Sequence, residues 1–334
     1  MITKVAFIGA GRWAIALALK LGERGIRVAL WDTNPQALAN LRTSRRHPDL
    51  PETALLPETV ELALDPAPAL NQADLVVFAV PSDHLAAAAQ QNAALITAAT
   101  KAIVSVTKGI DPASLNRMSV VLKKILPDLP VVVLAGPGIP YNVALGDPTS
   151  LVAASEHEPS AELVRDTFAA GNLRVYSSND VTGVELGAAF KNVIAIAAGI
   201  SDGLGLGINA KAALLTRGLA EITRLGLAFN CNPLTFAGLS GMGDLVVTAF
   251  SPHSRNYQFG LLLGKGLSRE AAQARLQGVA EGVTTCASGL TLARKMNVAM
   301  PITEEVFRIV YDNTRPEESI DRLLRRKPKK ELWQ

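Results

Sequence analysis

The sequence predicts an α/β fold, in which a Rossmann-type doubly wound parallel sheet is followed by an all-α C-terminal domain. In the first half of the 334-residue chain, short apolar runs such as Val5–Ile8 and Leu75–Val80 alternate with helical stretches. Runs that are apolar on both faces and separated by helices are typical of parallel strands covered on both sides. From about residue 181 only helical patterns remain. We therefore expect a dinucleotide-binding domain over residues 1–180 and a helical substrate-binding domain over residues 181–334.

The individual elements follow from apolar runs, caps and breakers. Asn34 and Pro35 form a typical helix start, with an N-cap side chain followed by a proline in the first turn. Gly25 closes the preceding helix and Pro81 stops a strand. The expected strands are Val5–Ile8, Arg27–Trp31, Leu75–Val80, Ile103–Thr107 and Val131–Leu134. The expected helices are Ala14–Arg24, the one that begins at Asn34, Leu85–Ala99, Glu185–Ile200, Ala210–Leu227, Asn256–Leu263, Thr284–Lys295 and Thr303–Tyr311.

Composition and charge exclude several classes of protein. A chain that is 49% hydrophobic and 19% charged is too apolar to be disordered. The net charge of +3 gives no reason to expect nucleic acid as a partner. No run approaches the roughly 18 uninterrupted apolar residues of a spanning helix, so we expect no stable membrane insertion. A basic C-terminal run is interpreted as a solvated tail; it comprises Arg322, Arg325, Arg326, Lys327, Lys329 and Lys330.

The cysteines and the start of the chain bear on compartment and metals. Cys231 and Cys286 are too few for a disulfide framework, and neither has metal-ligand spacing. The four histidines are scattered, so no metal site is expected. A strand-like run already begins at Lys4, which leaves no room for a signal peptide before it. We therefore expect a cytoplasmic protein.

A glycine-rich turn follows the first strand and predicts a dinucleotide site. Gly9, Gly11 and Ala14 fit the pattern G-x-G-x-x-G/A between a strand and a helix. Gly9 permits the tight turn, Gly11 lets the backbone approach a pyrophosphate, and the helix start offers free N–H groups to that anion. Asp32 ends the second strand, where an acidic residue can bind ribose hydroxyls. The alternative is a tight turn in a domain that binds no nucleotide.

The choice of cofactor depends on the residues after the second strand. The Asp32 carboxylate would repel the 2′-phosphate of NADP, and neither Thr33 nor Asn34 supplies an arginine to hold it. We therefore expect NAD(H) and/or NADP(H), with Asp32 and Thr33 favouring NAD.

Three polar clusters interrupt apolar surroundings. Lys108 follows a buried strand, and the ends of such strands line the ligand crevice of a doubly wound sheet. Lys191 lies inside an apolar helix, where a lysine must be paired, exposed or functional. Asp244 follows a glycine turn, and Arg255 stands at a helix start that could clamp a phosphate. Lys108 taken alone is equally well explained as a surface lysine, and taken singly each of the others is better explained as a cap, a turn or a solvated charge.

Together these clusters resemble the bacterial-type NAD(P)-dependent glycerol-3-phosphate dehydrogenases, in order from about residue 4 to 313. The segments that carry the resemblance are Gly9-Ala10-Gly11-x-Trp13, Thr107-Lys108-Gly109, Phe190-Lys191-Asn192-Val193-Ile194-Ala195-Ile196, Ser201-Asp202-Gly203, Thr216-Arg217-Gly218-Leu219, Gly241-Met242-Gly243-Asp244-Leu245, Ser254-Arg255-Asn256, Glu281-Gly282 and Pro301-Ile302-Thr303-Glu304-Glu305. The resemblance implies interconversion of dihydroxyacetone phosphate and sn-glycerol 3-phosphate by hydride transfer, which supplies glycerophospholipid biosynthesis.

The resemblance also implies roles for individual residues. Lys191 matches the general acid/base, and Lys108 matches a lysine close to both cofactor and substrate. The substrate-binding set is Lys108, Gly136, Lys191, Asp244, Ser254, Arg255 and Asn256. The cofactor-binding set is Gly9, Gly11, Arg12, Trp13, Asp32, Lys108, Pro140, Arg255, Val279 and Glu281.

The chain departs from the family pattern at a few positions. Gly138 stands where the family has a serine or threonine, and Pro140 stiffens the same loop. Arg12 replaces a small serine, and Thr33 stands where the family often carries an arginine. The missing hydroxyl at position 138 puts one substrate contact in doubt, and Thr33 again favours NAD.

Two other functions stay open at this point. A 3-hydroxyacid or 6-phosphogluconate-type dehydrogenase would share the two-domain plan and a lysine followed by asparagine, but it would need a site for a substrate carboxylate. A non-catalytic dinucleotide sensor would keep the glycine turn yet have no use for the lysines and Asp244 together. The apolar helical half could also carry a homodimer interface.

Overall fold

An eight-stranded sheet organises the first part of the chain. We describe residues 2–276, 278–327 and 330–331 of a computed structural model. The strands lie in the order β3-β2-β1-β4-β5-β6-β7-β8. Their bounds are β1 Lys4–Ile8, β2 Arg27–Trp31, β3 Val60–Leu62, β4 Leu75–Phe78, β5 Ala102–Ser105, β6 Val131–Ala135, β7 Thr149–Ala154 and β8 Leu173–Ser178.

Helices cover the sheet and then form the rest of the described chain. The first seven are α1 Arg12–Glu23, α2 Pro35–Ser44, α3 Pro66–Leu70, α4 Leu85–Asn92, α5 Met118–Ile125, α6 Pro140–Leu145 and α7 Glu158–Phe168. The next nine are α8 Val181–Gly203, α9 Ile208–Ala228, α10 Pro233–Ala237, α11 Asp244–Phe250, α12 Arg255–Gly264, α13 Arg269–Ala274, α14 Glu281–Lys295, α15 Pro301–Tyr311 and α16 Pro316–Leu324. A 3₁₀ turn over Ala93–Leu95 follows α4, and a π-helical turn over Leu239–Gly243 precedes α11.

The sheet confirms the Rossmann-type prediction and corrects it at one edge. Strands β1 to β6 run parallel, but β7 pairs antiparallel with β6, and β8 then runs parallel to β7. The sequence did not indicate β3, β7 or β8. β3 has only three residues, and the terminal strand β8 alternates buried and exposed positions instead of forming a continuous apolar run.

Two helix boundaries differ from expectation by four residues or more, for local reasons. The helix expected over 85–99 ends at Asn92, whose side-chain amide donates to the Ala88 carbonyl (2.8 Å) before the 3₁₀ turn. Helix α8 starts at Val181, four residues earlier than expected, because the Asp180 side chain caps it by accepting from the Gly183 N–H (2.9 Å).

Helix α8 is the buried axis of the helical part, and glycines set its distance from α12. A Cβ at Gly260 would overlap the Ile196 carbonyl, and one at Gly199 would overlap backbone of α12. Gly282 on α14 lies equally close, since a Cβ there would come within 2.7 Å of the Asn192 carbonyl oxygen. Only residues without side chains permit these contacts, which hold the starts of α12 and α14 near the middle of α8.

Two segments are long and apolar enough, by mean hydropathy, to be considered as membrane spans. They are Val181–Gly203, whose most apolar window is 94% buried, and Pro233–Phe250, whose window is 39% buried. The first is α8, and burial of that degree is what the core helix of a globular domain shows. The second contains the π-helical turn and carries Asp244, which is paired with two lysines. Length and composition are therefore weak evidence that either segment crosses a membrane.

A buried carboxylate fastens α5, which covers the sheet, to α8. Glu185 accepts the backbone N–H of Ser119 at the start of α5 (2.8 Å), the Ser119 hydroxyl, and an ion-paired hydrogen bond from Arg117. Glu185 is 5% exposed, so these partners replace its hydration. The contact fixes α8 against the sheet six residues before Lys191.

We predict that Glu185→Ala lowers the free energy of unfolding by roughly 3 kcal/mol, because it leaves a half-buried guanidinium without its carboxylate. Ser119→Ala, which removes one hydroxyl and keeps the ion pair, should cost about 1 kcal/mol. Urea unfolding followed by circular dichroism measures both. Equal losses in the two variants would show that the ion pair does not fasten these elements.

Candidate functional site

The ends of parallel strands carry four of the residues singled out in the sequence. Gly9 follows β1, Asp32 follows β2, Lys108 follows β5 and Gly136 follows β6. Gly9 has φ 102°, and a Cβ there would lie 2.6 Å from the Ala79 carbonyl oxygen, so the turn requires glycine. The carboxyl ends of such strands form the ligand crevice of a doubly wound sheet.

The glycine turn has the properties of a pyrophosphate site. Gly11 is the N-cap of α1, and a Cβ on it would meet no atom within 4 Å, so open space lies over the helix start. Asp32 shapes the loop by accepting the Ala10 N–H (2.8 Å) and the Asn34 N–H (2.9 Å). Free N–H groups, the helix dipole and an acid at the second strand fit a nicotinamide dinucleotide.

A buried Lys–Asp–Lys cluster lies where the sheet meets the helical part. Asp244, which is fully buried, accepts from Lys191 Nζ on Oδ1 (2.7 Å) and from Lys108 Nζ on Oδ2 (2.6 Å). Lys108 Nζ also lies 3.4 Å from the Gly136 carbonyl oxygen. The structure thus brings together four of the predicted residues from β5, β6, α8 and α11.

Lys191 is held so that it can exchange a proton. It is 5% exposed, and the pKa of its ammonium group is lowered to about 8, chiefly by burial; Asp244 opposes this lowering and Lys108 contributes to it. A second hydrogen bond runs from Lys191 Nζ to Thr248 Oγ1 (2.6 Å), and the Thr248 hydroxyl donates to the Asp244 carbonyl (2.6 Å). A lysine with such a pKa can act as acid or as base near neutral pH.

Thr248 and Asn192 contribute to this site, although the sequence analysis gave them no role there. Thr248 lies four residues after Asp244, and this helical spacing places both on one face of α11. Asn192 is 2% exposed, and its Nδ2 has no partner among the described residues. A buried amide donor of this kind is suited to an acceptor on a bound ligand.

A second group of charges lies beside the glycine turn. Burial lowers the pKa of Arg12 to about 10, and the nearby Arg255 guanidinium adds to the lowering. Burial also lowers the pKa of His47, whose Nδ1 accepts the Asp49 N–H (3.1 Å). Two guanidinium groups held this close together favour an anion between them. The cavity here, about 450 Å³, is lined by Gly11, Arg12, His47, Pro48, Asp49, Arg255 and Gly278. No motif pointed to His47 or Asp49.

Glu281 connects the two groups electrostatically. Burial raises the pKa of its carboxyl, while Arg255, Lys108 and Lys191 lower it. The start of α14 is also tied to α12, because the Gly282 N–H donates to Asn256 Oδ1 (2.8 Å). Glu281 is therefore within electrostatic range of both groups of charges.

The remaining predicted residues lie around this cleft. Trp13 packs over Gly138, where a Cβ would come 2.6 Å from the indole ring. Pro140 begins α6, and its neighbour Tyr141 stacks on His253 (ring centroids 4.2 Å apart), directly before α12. Ser254 is the N-cap of α12 and accepts the Tyr257 N–H (3.2 Å). Val279 is 48% exposed.

Comparison with known proteins identifies the family. The N-terminal model of NAD-dependent glycerol-3-phosphate dehydrogenase matches residues 4–161, and the C-terminal model matches residues 180–321. The chain belongs to this family. A Salinibacter ruber protein named glycerol-3-phosphate dehydrogenase [NAD(P)+] 2 is 45% identical over 100% of this chain and 97% of its own length. A Clostridium perfringens protein named glycerol-3-phosphate dehydrogenase [NAD(P)+] is 40% identical over 99% of both chains.

A solved structure agrees with the family assignment. The glycerol-3-phosphate dehydrogenase of Coxiella burnetii superposes with a TM-score of 0.93 at 35% identity, covering 97% of this chain and 99% of that one. The resemblance stated from the sequence is confirmed for the family and for the fold.

We predict that Gly138→Ser, which restores the hydroxyl common in the family, loosens the cofactor side of the cleft because its Cβ overlaps the Trp13 ring. Overpacking of this kind costs about 1–3 kcal/mol. Thermal unfolding and NADH titration by fluorescence measure the effect, and Trp13→Leu/Gly138→Ser should recover stability. A stable single variant with unchanged NADH affinity would contradict the steric account.

Proposed function

We propose that this protein is an NAD(P)-dependent oxidoreductase that interconverts dihydroxyacetone phosphate and sn-glycerol 3-phosphate, and so supplies glycerophospholipid synthesis. The observation that carries the proposal is the buried Lys191–Asp244–Lys108 cluster at the strand ends, beside the glycine turn. Family membership over nearly the whole chain supports it. A non-catalytic sensor would have no use for this cluster, and no observation favours a carboxylate substrate.

Lys191 acts as the general acid/base in the proposed mechanism. When bound, the nicotinamide cofactor donates or accepts the hydride. In ketone reduction Lys191 Nζ gives a proton to the forming alkoxide oxygen, and in alcohol oxidation the neutral amine takes the hydroxyl proton. Asp244 and Thr248 orient Nζ through their hydrogen bonds. Lys108 adds a positive charge that stabilises the developing alkoxide.

The substrate phosphate binds at the start of α12. Ser254 caps that ten-residue helix, Arg255 is its first residue, and Asn256 lies next to it, so N–H groups and a guanidinium converge there. Arg255 also binds the cofactor, because Arg255 and Arg12 line the same cavity as Gly11. Shared use of one arginine sets the distance between cofactor and substrate.

Several finer features belong to the same proposal. We infer a division at about residue 180, because β8 ends at Ser178 and α8 begins at Val181. A cytoplasmic location suits a lipid-precursor enzyme with two buried free cysteines. A homodimer through the helical part is consistent with exposed apolar side chains such as Ile208 and Leu234, which are 65% and 74% exposed. Nucleic acid is not an expected partner.

We predict that the wild type turns over dihydroxyacetone phosphate with NADH and rejects 3-hydroxyisobutyrate and 6-phosphogluconate with NAD.

Lys191→Ala should lose roughly 10²–10⁴-fold in kcat while its NADH affinity stays unchanged. With the pKa of Lys191 at about 8, alcohol oxidation should rise with pH up to about 8, and ketone reduction should fall above it. Steady-state rates and NADH fluorescence titrations measure these effects. A Lys191→Ala enzyme within a few-fold of wild type would remove this residue from the mechanism.

We predict an NADH preference that depends on the Asp32 charge. Asp32→Asn keeps an acceptor oxygen for one of the two loop N–H groups, gives up the hydrogen bond to the other, and removes the charge that repels a 2′-phosphate. The ratio of kcat/KM for NADH to that for NADPH should exceed one in the wild type and fall about tenfold in the variant. Thr33→Ser, which changes no charge, is the control. A wild type that strongly prefers NADPH would contradict the assignment.

A further inference from the structure

A separate cavity of about 460 Å³ lies in the helical part, away from the site described above. It opens between the end of α8, α9, α15 and α16. Its walls are mainly apolar; the apolar side chains that line it include Leu206, Leu214, Ile302, Val306, Ile309, Ile320, Leu323 and Leu324. A concave apolar site of this size is suited to a single small organic ligand. We refer to it as the α16 cavity.

Positive charges surround the mouth of the α16 cavity. The basic residues that line it are Arg217, Arg224, Arg326, Lys327 and Lys330. Three of them lie within electrostatic range of one another, because Arg217 and Arg326 add to the lowering of the pKa of Arg224 that burial causes. Arg217, Arg326, Lys327 and Lys330 are exposed, so their summed positive charge attracts an anion to the mouth of the cavity.

The acidic residues of the cavity offset only part of this rim, since Glu221 acts on Arg224 alone among its cations. Glu221 is 2% exposed and is bound to the start of α15, where it accepts the N–H groups of Ile302 (2.7 Å) and Thr303 (3.3 Å). Glu305 is held by Arg322 through a two-pronged contact (3.0 and 2.9 Å). The charge available to a ligand at the mouth is therefore positive.

One buried hydroxyl oxygen in the wall, that of Ser201, makes no hydrogen bond to the described residues. Ser201 is 6% exposed and lines the cavity, and its Oγ has no hydrogen-bond partner among the described residues. Ser201 and Arg217 belong to two of the segments that carry the family resemblance, Ser201-Asp202-Gly203 and Thr216-Arg217-Gly218. The proposed catalytic site uses neither segment. A buried hydroxyl without a partner is satisfied when a ligand oxygen or a water reaches it.

We propose that the α16 cavity binds a free long-chain fatty acid anion, with its hydrocarbon chain against the apolar wall and its carboxylate at the basic rim. The carboxylate is held by charge-assisted hydrogen bonds from arginine, which favour planar oxyanions. Burial of the chain supplies most of the affinity, at roughly 0.8 kcal/mol per CH₂ group. The proposal for this cavity does not rest on the proposed dehydrogenase function.

The test uses the full chain and dodecanoate as the probe, with 1-dodecanol as its uncharged counterpart, in isothermal titration calorimetry below the concentration at which either aggregates. Dodecanoate should bind at one site per chain and at least tenfold more tightly than dodecanol. The double variant Arg326→Glu/Lys327→Glu, which changes only exposed residues, should weaken dodecanoate at least tenfold and leave dodecanol unchanged. Arg42→Glu on α2, in the sheet part, is the matched control and should bind like the wild type.

Two further variants probe the wall. Ser201→Ala should weaken dodecanoate a few-fold, and Ala213→Trp, at an exposed position of the lining, should abolish binding of both probes while the melting temperature stays that of the wild type. Undiminished binding to Ala213→Trp would overturn the assignment. Binding to anionic vesicles but not to dodecanoate would also overturn the assignment, because the occupant would then be a membrane surface. A wild-type dimer that Ala213→Trp dissociates in sedimentation would overturn it too, because the occupant would then be a second copy of the chain.

Discussion

The structure depends above all on one buried carboxylate. Asp244 has no exposed surface, and removal of its charge from water is affordable only because both of its oxygens accept from ammonium groups. One of those groups follows a strand of the sheet, and the other lies in the middle of α8. The pairing therefore joins the two parts of the chain. It also leaves one surplus positive charge in a desolvated place, which favours a substrate that is an anion and develops further negative charge in reaction.

Helix α8 distributes this constraint over the helical part. At a rise of about 1.5 Å per residue, Glu185 lies about 9 Å before Lys191, and Ser201 about 15 Å after it. The attachment to the sheet, the proton-transferring amine and the wall of the α16 cavity are thus carried by one rigid element. The glycine contacts with α12 and α14 prevent that element from moving without its neighbours. We infer that the geometry around Lys191 Nζ is set by packing along the whole helix.

Much of the fold could be predicted from the sequence because its parallel strands are buried on both faces and form continuous apolar runs. The short strand β3 and the half-exposed β8 lack that signature. The antiparallel direction of β7 depends on the path of the chain between strands, which no apolar run reveals. The lysines, Asp244 and the glycine turn were recognisable because polar or flexible residues interrupt apolar surroundings. Thr248 and His47 carry no such contrast. Only the winding of α11 and the path of the loop after α2 bring them to the site.

The contact between Trp13 and Gly138 bears on how parts of this family can be exchanged. One residue lies in the first helix and the other in a loop more than a hundred residues later, yet the ring occupies the volume that a side chain at position 138 would need. A chimaera that takes the loop over residues 136–140 from a relative with a hydroxyl there, but keeps this first helix, would have to move the Trp13 ring or the loop to make room for the new Cβ. The two segments are therefore coupled in recombination, and a crossover between them transmits a change in the loop to the first helix.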